Sequence, residues 1–199
     1  NRPLVQTIPP GSTFKLVTSA AALENGYEPD SVLPGPAAYQ LPGSTRQLNN
    51  WSGAPCGAND RTTLANALAI SCNGAFAYLG NELGDDVLRA QSEKFGFGTS
   101  FDVPMTAATS RFPQDPDPAQ TAMSAIGQFD VAATSLQMAQ VTASISNKGM
   151  TMYPYLVNQV LAPDLTVLSQ TQPRQFQRAM SEANAAKLMG MMVQVVDSG

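Results

Sequence analysis

The stretch Pro9-Pro10-Gly11-Ser12-Thr13-Phe14-Lys15 opens an apolar run that continues to Gly26. The two prolines and the glycine stop any preceding element, and apolar residues recur at helical spacing from Phe14 onward. We therefore expect a helix that starts near Ser12 and ends at Gly26. A spacing of three would place the side chains of Ser12 and Lys15 on one face, at the positive end of the helix dipole.

A serine and a lysine in this arrangement can act as a nucleophile and its base. The N–H groups at a helix start can stabilise a developing oxyanion, and a lysine neutralised by burial can accept the serine proton. The chain contains no histidine, which excludes a Ser-His-Asp or Cys-His arrangement and leaves Lys15 as the available base for Ser12. The alternative reading is an N-cap serine followed by a solvated lysine.

The overall composition fits one globular domain and excludes several functions. The chain has 199 residues, of which 43% are hydrophobic and 13% charged, with a net charge of -4. An isoelectric point of about 4.7 and the lack of a Lys/Arg cluster argue against a nucleic-acid partner. The absence of histidine and the presence of only two cysteines exclude an imidazole or four-thiolate zinc site, so we expect no metal and no cofactor.

A second candidate group, Ser71-Cys72-Asn73, interrupts two predicted helices. The first helix begins with Thr62 or Thr63 as its cap and runs to Ala69, and the second runs from Gly74 to Leu83. On a short extended break, Ser71 and Asn73 would project to one side, where they could bridge a base and a substrate amide. The alternative is an ordinary Ser/Asn turn.

Prolines and glycines mark the boundaries between the predicted elements in the rest of the chain. We expect an irregular connection over 29–60, a helix over 85–95, a loop over 99–120 and a helix over 133–147. A hairpin of strands 153–161 and 165–169 should follow, and a last helix should begin after Ser181 and end at Ser198-Gly199. Asp115 and Asp117 resemble a carboxylate pair, but a solvated loop explains them better. Core packing explains Met189, Met191 and Met192.

These groups, in this order, resemble the penicillin-recognising serine enzymes, whose motifs include Ser-x-x-Lys and Ser-x-Asn. The resemblance is closest to the class B, monofunctional penicillin-binding proteins. Further matching segments are Ala67 to Phe76, Phe95-Gly96-Phe97-Gly98, Ile126-Gly127-Gln128, Ser135 to Ala139 and Asn147-Lys148-Gly149.

The resemblance implies an α/β, penicillin-recognising serine transpeptidase fold, in which a helical subdomain and an antiparallel sheet with flanking helices enclose the site. It implies that Ser12 is the acylated nucleophile and Lys15 its base. It further implies that Ser71 relays the proton and that Asn73 holds the substrate amide and orients Lys15. The implied substrate is the D-Ala-D-Ala end of a peptidoglycan stem peptide, which β-lactams mimic. The implied location is the extracytoplasmic face of a bacterial membrane, with cell-wall or divisome proteins as partners.

The sequence departs from the family pattern in two places. Ser135 stands where proline is usual, and no Lys-Thr-Gly occurs anywhere. We therefore expect residues 1–199 to be a partial transpeptidase domain with an incomplete sheet, inactive by itself. A membrane anchor and pedestal domain would precede it, and a Lys-Thr-Gly segment would follow. Because the family works outside the membrane, we expect a disulfide between Cys56 and Cys72; the alternative is two free thiols.

Two other functions remain as alternatives. A serine β-lactamase of class A needs a Glu-x-x-x-Asn pattern, which the chain lacks, and class D enzymes carry an aliphatic residue at the position of Asn73. A sensor domain that binds β-lactams without turnover is compatible with the same residues.

Overall fold

The computed structural model describes residues 1–101, 103 and 105–198, so Gly199, at the predicted end of the last helix, lies outside the described residues. Eight α-helices lie within the described part. They are α1 Arg2–Val5, α2 Lys15–Glu24, α3 Leu64–Ala69, α4 Asn73–Leu83, α5 Asp85–Lys94, α6 Pro118–Ser124, α7 Ser135–Ser146 and α8 Glu182–Ser198. The helices expected after the two candidate motifs are therefore present.

The strands are short and form four separate two-stranded antiparallel sheets in the described part of the chain. They are β1 Val32–Pro34, β2 Ala38–Gln40, β3 Gln47–Asn49, β4 Arg61–Thr63, β5 Met150–Met152, β6 Gln159–Leu161, β7 Val167–Gln170 and β8 Gln175–Arg178. The pairs are β1 with β4, β2 with β3, β5 with β8, and β6 with β7. The prediction of an irregular connection over 29–60 is wrong where β1, β2 and β3 lie, because strands of three residues are too short to show alternation.

Helix α2 forms the centre of the fold and contacts α3, α4, α5, α7 and α8. Its residues Ala20, Ala21 and Ala22 are fully buried, and their small side chains let neighbouring helices approach from several sides. Phe14, the residue immediately before α2, packs edge-on to Phe97 and is stacked with Phe112. Aromatic packing therefore anchors the start of α2 in the core.

The helix caps agree with part of the sequence analysis. The hydroxyl of Thr63 accepts a hydrogen bond from the amide of Asn66, which confirms the predicted cap of α3.

The loop predicted over 99–120 ends earlier than expected, because α6 starts at Pro118. The carboxylate of Asp117 caps this helix and forms a capping box with Gln120. Ser135 is the first residue of α7, and Thr134 is its cap.

The predicted hairpin is present but shorter, and it consists of β6 and β7. The pair β5 and β8 precedes and follows it along the chain, and the four strands together are called the ribbon. Strands β6 and β7 pair through Val160 and Ser169, whereas β5 pairs with β8, which the sequence analysis missed. The sequence of β8 is glutamine-rich and gives no apolar alternation. Tyr153 and Phe176 pack edge-on against Phe101, so this cluster fixes the base of the ribbon to the body.

A disulfide joins Cys56 to Cys72, as predicted. It ties the segment between β3 and β4 to the residue that precedes α4, where the sulfur of Cys72 accepts a hydrogen bond from the amide of Ala75. The predicted core packing of the methionines is also observed, since Met191 is buried and Met189 and Met192 pack against the same core.

We expect replacement of both cysteines, Cys56→Ala with Cys72→Ala, to lower the free energy of unfolding by about 3 kcal/mol, the loop-closure effect for a crosslink of this span. Chemical denaturation of both proteins measures the difference. The matched control is reductant, which should destabilise the unmodified protein by a similar amount and leave the double variant unchanged. A difference below about 1 kcal/mol would contradict a structural role for this disulfide.

Candidate active site

The structure brings together the four residues that the sequence analysis proposed. Ser12 lies in a single 3₁₀ turn, Gly11–Phe14, and Lys15 is the first residue of α2. Ser71 lies in the break between α3 and α4, and Asn73 is the first residue of α4. The first residues of α2 and α4, together with the residues just before them, therefore supply all four side chains.

Lys15 is the centre of this group. Its Nζ lies 2.8 Å from Ser71 Oγ, 2.8 Å from Asn73 Oδ1 and 3.2 Å from Ser12 Oγ. It also donates to the backbone carbonyl of Ser71 at 2.8 Å, and the two serine hydroxyls are 3.0 Å apart. The solvated-lysine alternative is wrong, because the Lys15 side chain is 0% exposed.

The partners of Lys15 determine how its protons are arranged. The carbonyl of Ser71 and Oδ1 of Asn73 can only accept, so they take two N–H groups of Lys15. The remaining position of Nζ faces serine hydroxyls, which can donate or accept. A charged Lys15 fills that position with a third N–H, whereas a neutral Lys15 presents its lone pair to a hydroxyl proton. The geometry is therefore suited to receive a proton from Ser12.

Burial lowers the pKa of Lys15 from 10.5 to about 8, because an ammonium group loses its hydration inside the protein. The surrounding oxygens are uncharged, and the ring of Phe76 lies 5.5 Å from Nζ. A carboxylate close to Nζ would oppose this shift by stabilising the ammonium form. The site therefore maintains a usable fraction of neutral lysine near physiological pH.

Ser12 occupies an exposed position before the start of α2 proper. It is the second residue of the 3₁₀ turn rather than its N-cap, so the capping alternative is wrong. The turn is held by Gly127, whose carbonyl accepts from the amide of Gly11 at 2.9 Å. Gly127 has a φ of +70°, and a Cβ there would collide with the backbone of Gly11, so only glycine fits this close approach.

Ser71 has a left-handed backbone, with φ of +56°. The prediction of a short extended break from Ser71 to Asn73 is wrong, because of these residues only Cys72 is extended. A left-handed serine costs about 1 kcal/mol or more. The conformation lets both the carbonyl and the hydroxyl of Ser71 contact Lys15, so the strain coincides with the site.

Asn73 is oriented by a residue that the sequence analysis did not single out. Its Nδ2 donates to the backbone carbonyl of Asn49 at 3.1 Å, which leaves Oδ1 to face Lys15. Asn49 ends β3 in the stretch expected to be irregular, and no motif marks it. A backbone carbonyl carries no sequence signal, so only the pairing of β2 with β3 could have indicated its position.

A groove of about 370 Å³ opens beside Ser12 and Lys15. One wall comes from the end of α3, and the other comes from Met192, Val195 and Val196 of α8. The α8 wall was missed in the sequence analysis, where the methionines were assigned to the core. A second groove of about 410 Å³ lies between α7 and β5, and none of the four candidate residues lines it.

The other candidate groups contribute nothing to this site. Asp117 caps α6, and Asp115 is exposed in the preceding loop. Within residues 1–101, 103 and 105–198, no three potential metal-ligating side chains lie together. In the same part of the chain, no helix has the length and apolar character needed to cross a bilayer.

Comparison with known families gives a match over the whole chain. The family model "Penicillin binding protein transpeptidase domain" covers residues 1–199. The chain is 46% identical over 194 residues to the peptidoglycan D,D-transpeptidase PbpA of Mycolicibacterium smegmatis, which is 97% of this chain and 40% of that protein. It is 44% identical to PbpA of Mycobacterium tuberculosis over the same shares. The chain thus spans about 40% of the length of these curated relatives.

Solved structures agree. The chain superimposes on penicillin-binding protein A from M. tuberculosis in its imipenem acyl-enzyme complex with a TM-score of 0.96 and 43% identity, covering 100% of this chain and 46% of the other. For a D,D-transpeptidase domain from Eggerthella lenta the TM-score is 0.91 at 30% identity, covering 100% of this chain and 51% of the other. The predicted α/β fold class is confirmed.

The depressed pKa of Lys15 predicts a pH-dependent stability. Between pH 8 and 10.5 the unfolded chain binds a proton at Lys15 that the folded protein has released, so the free energy of unfolding rises with pH across this window. Relative to Lys15→Met, which lacks the titrating group, the protein should gain about 3 kcal/mol from pH 7 to pH 10.5. Urea denaturation of both proteins measures the gain. A difference that stays constant over that range would show that the pKa is not depressed.

Proposed function

The chain belongs to the penicillin-binding protein transpeptidase domain family, and we propose that the protein is a peptidoglycan D,D-transpeptidase that works through a serine acyl-enzyme. The observation that carries the proposal is the buried Lys15 amine, which contacts Ser12, Ser71 and Asn73 at once. The names of the two PbpA relatives support the reaction, and acyl-enzyme complexes of a similar protein with imipenem and penicillin G support a covalent acyl-enzyme.

In the proposed acylation, Ser12 Oγ attacks the carbonyl carbon of the penultimate D-Ala. The Ser12 proton passes to the lone pair of neutral Lys15, directly over 3.2 Å or through the hydroxyl of Ser71. The C–N bond to the last D-Ala then breaks, and its nitrogen receives a proton from Ser71 Oγ, which Lys15 replenishes. With a pKa of about 8, roughly a tenth of Lys15 is neutral at pH 7.

Asn73 has two proposed tasks in this reaction. Its Oδ1 holds Lys15, and one N–H of its Nδ2 group is directed to Asn49. An amide nitrogen carries two protons, so the second can bind the substrate amide carbonyl.

The backbone N–H of Ser12, in the turn before α2, contributes a donor for the tetrahedral oxyanion. An amine from a neighbouring stem peptide then attacks the acyl carbon and forms the amide bond of the cross-link. The ester bond to Ser12 Oγ breaks, and the proton lost by the amine returns to Ser12 through Lys15.

β-Lactams are proposed to acylate Ser12 as mimics of D-Ala-D-Ala. The β-lactamase alternative is disfavoured by the lack of Glu-x-x-x-Asn and by Asn73 itself, and the names of the relatives favour the transpeptidase. The alternative of a sensor domain has no specific observation in its favour.

We also propose that the protein works on the extracytoplasmic face of the membrane. The disulfide between Cys56 and Cys72 supports this location, because structural disulfides persist in oxidising compartments. Cell-wall or divisome proteins are the proposed partners. The proposed domain organisation, with residues 1–199 as part of a transpeptidase domain supplemented by an anchor, a pedestal and a Lys-Thr-Gly segment, stays a prediction.

We expect a fluorescent penicillin to label the full-length protein at Ser12, because Ser12 is the more exposed of the two serines whose hydroxyls contact Lys15. Mass spectrometry of the labelled peptide locates the adduct, and Ser12→Ala should abolish it. Thr13→Ala is a matched control on the neighbouring hydroxyl and should keep the label.

A companion variant tests the base. Lys15→Arg keeps the positive charge but cannot lose a proton, so labelling at Ser12 should slow by about 10²–10⁴-fold. Labelling that persists in Ser12→Ala would contradict the nucleophile, and a rate for Lys15→Arg within threefold of the unmodified protein would contradict the base.

A further inference from the structure

The amide of Asn73 has only one orientation that satisfies both of its neighbours. Lys15 Nζ donates to Oδ1 at 2.8 Å, and Nδ2 donates to the carbonyl of Asn49 at 3.1 Å. If the amide turned over, Nδ2 would face the N–H groups of Lys15 and Oδ1 would face the carbonyl oxygen of Asn49. The position of the Asn49 carbonyl therefore determines which end of Asn73 meets the lysine.

The next residue, Asn50, holds that part of the chain in place. It is buried, with 7% of its surface exposed. Its Nδ2 donates to the carbonyls of Pro36 at 2.8 Å and Ala54 at 2.9 Å, and its Oδ1 accepts from the amide of Gly74 at 3.0 Å. One side chain thus joins three backbone segments, one of which is the first turn of α4.

The contact between these segments is close enough to depend on such a bridge. A Cβ on Gly74 would approach the carbonyl oxygen of Pro36 to 2.9 Å, so the loop backbone lies directly against the helix start. The backbone N–H of Asn50 also donates to the carbonyl of Ala37 at 3.1 Å, and this bond extends the pairing of Ala38 with Asn49. Asn50 therefore fixes the end of β3 relative to the residue that follows Asn73.

We infer that Asn50 is a positioning residue for acyl transfer. It holds the Asn49 carbonyl against the start of α4, and that carbonyl orients the Asn73 amide toward Lys15. The inferred effect of Asn50 on acylation rests on the proposed function. The hydrogen bonds made by Asn50 are observed independently of that function. Because displacement of a reacting group by about 1 Å can cost 10²-fold in rate, loss of the bridge should slow acylation at least tenfold.

The chain offers a matched control in Asn66. This asparagine also joins side chain to backbone in the same region, since its Nδ2 donates to the carbonyl of Cys56 at 3.3 Å and to Thr62 Oγ1 at 2.8 Å. These bonds tie the other end of the segment, close to the disulfide. Asn66→Ala should therefore loosen the segment without turning the Asn73 amide.

The first measurement is the second-order rate constant for labelling of the full-length protein by a fluorescent penicillin, at a temperature where every variant is folded. Asn50→Ala and Asn50→Asp should both react at least tenfold more slowly, and Asn66→Ala should stay within threefold of the unmodified protein. Asn50→Asp keeps an acceptor for Gly74 but loses both donated bonds, so it tests the bridge if Asn50→Ala does not fold.

The second measurement is the NMR signal of the Asn73 side-chain amide in the unacylated protein, which a general loss of stability would not shift in a folded sample. In the Asn50 variants this signal should move and its hydrogen exchange should accelerate at least tenfold, whereas in Asn66→Ala it should not change.

Three outcomes would overturn the inference: an unchanged Asn73 signal, labelling within threefold in folded Asn50 variants, or an equal loss in Asn66→Ala. Absence of any adduct on Ser12 in the unmodified protein would instead refute the proposed function, and the Asn73 signal would still decide the role of Asn50.

Discussion

The site depends on a single amine that is removed from water and surrounded by neutral oxygens. Lys15 is fully buried, yet its partners are the carbonyl of Ser71, two hydroxyls and the amide of Asn73. With no counter-charge among them, burial lowers the pKa of Lys15, and its Nζ lies within hydrogen-bond distance of both serine hydroxyls. The chain contains no histidine, so in the proposed reaction this environment would do what an imidazole does in a Ser-His-Asp triad.

The rest of the fold keeps that environment rigid. The central helix α2 is buried on several sides and presents Lys15 at its first position. The left-handed backbone of Ser71 aims two oxygens at the amine, and the disulfide at Cys72 secures the residue between Ser71 and Asn73. The contacts of this one nitrogen thus depend on two helix starts, one left-handed residue and one disulfide.

The sequence predicted the parts of the site that lie close together along the chain. Prolines and glycines mark the ends of α2, so the proximity of Ser12 to Lys15 could be read from spacing. The meeting of Lys15 with Ser71 was available only through the family resemblance. The orienting carbonyl of Asn49 was not predictable at all, because it depends on two three-residue strands that leave no hydrophobic pattern. Long-range backbone contacts of this kind determine the geometry of the site but leave no recognisable pattern in the sequence.

The central claim is that burial keeps Lys15 partly neutral for attack by Ser12, and an NMR titration of the Lys15 side chain tests it most directly. In the unacylated protein, the chemical shifts of carbon ε and nitrogen ζ of Lys15 should titrate with a midpoint near pH 8. The labelling rate of Ser12 by a penicillin should rise with the same midpoint. A Lys15 midpoint above about 10, the range of a solvated lysine, would contradict the account.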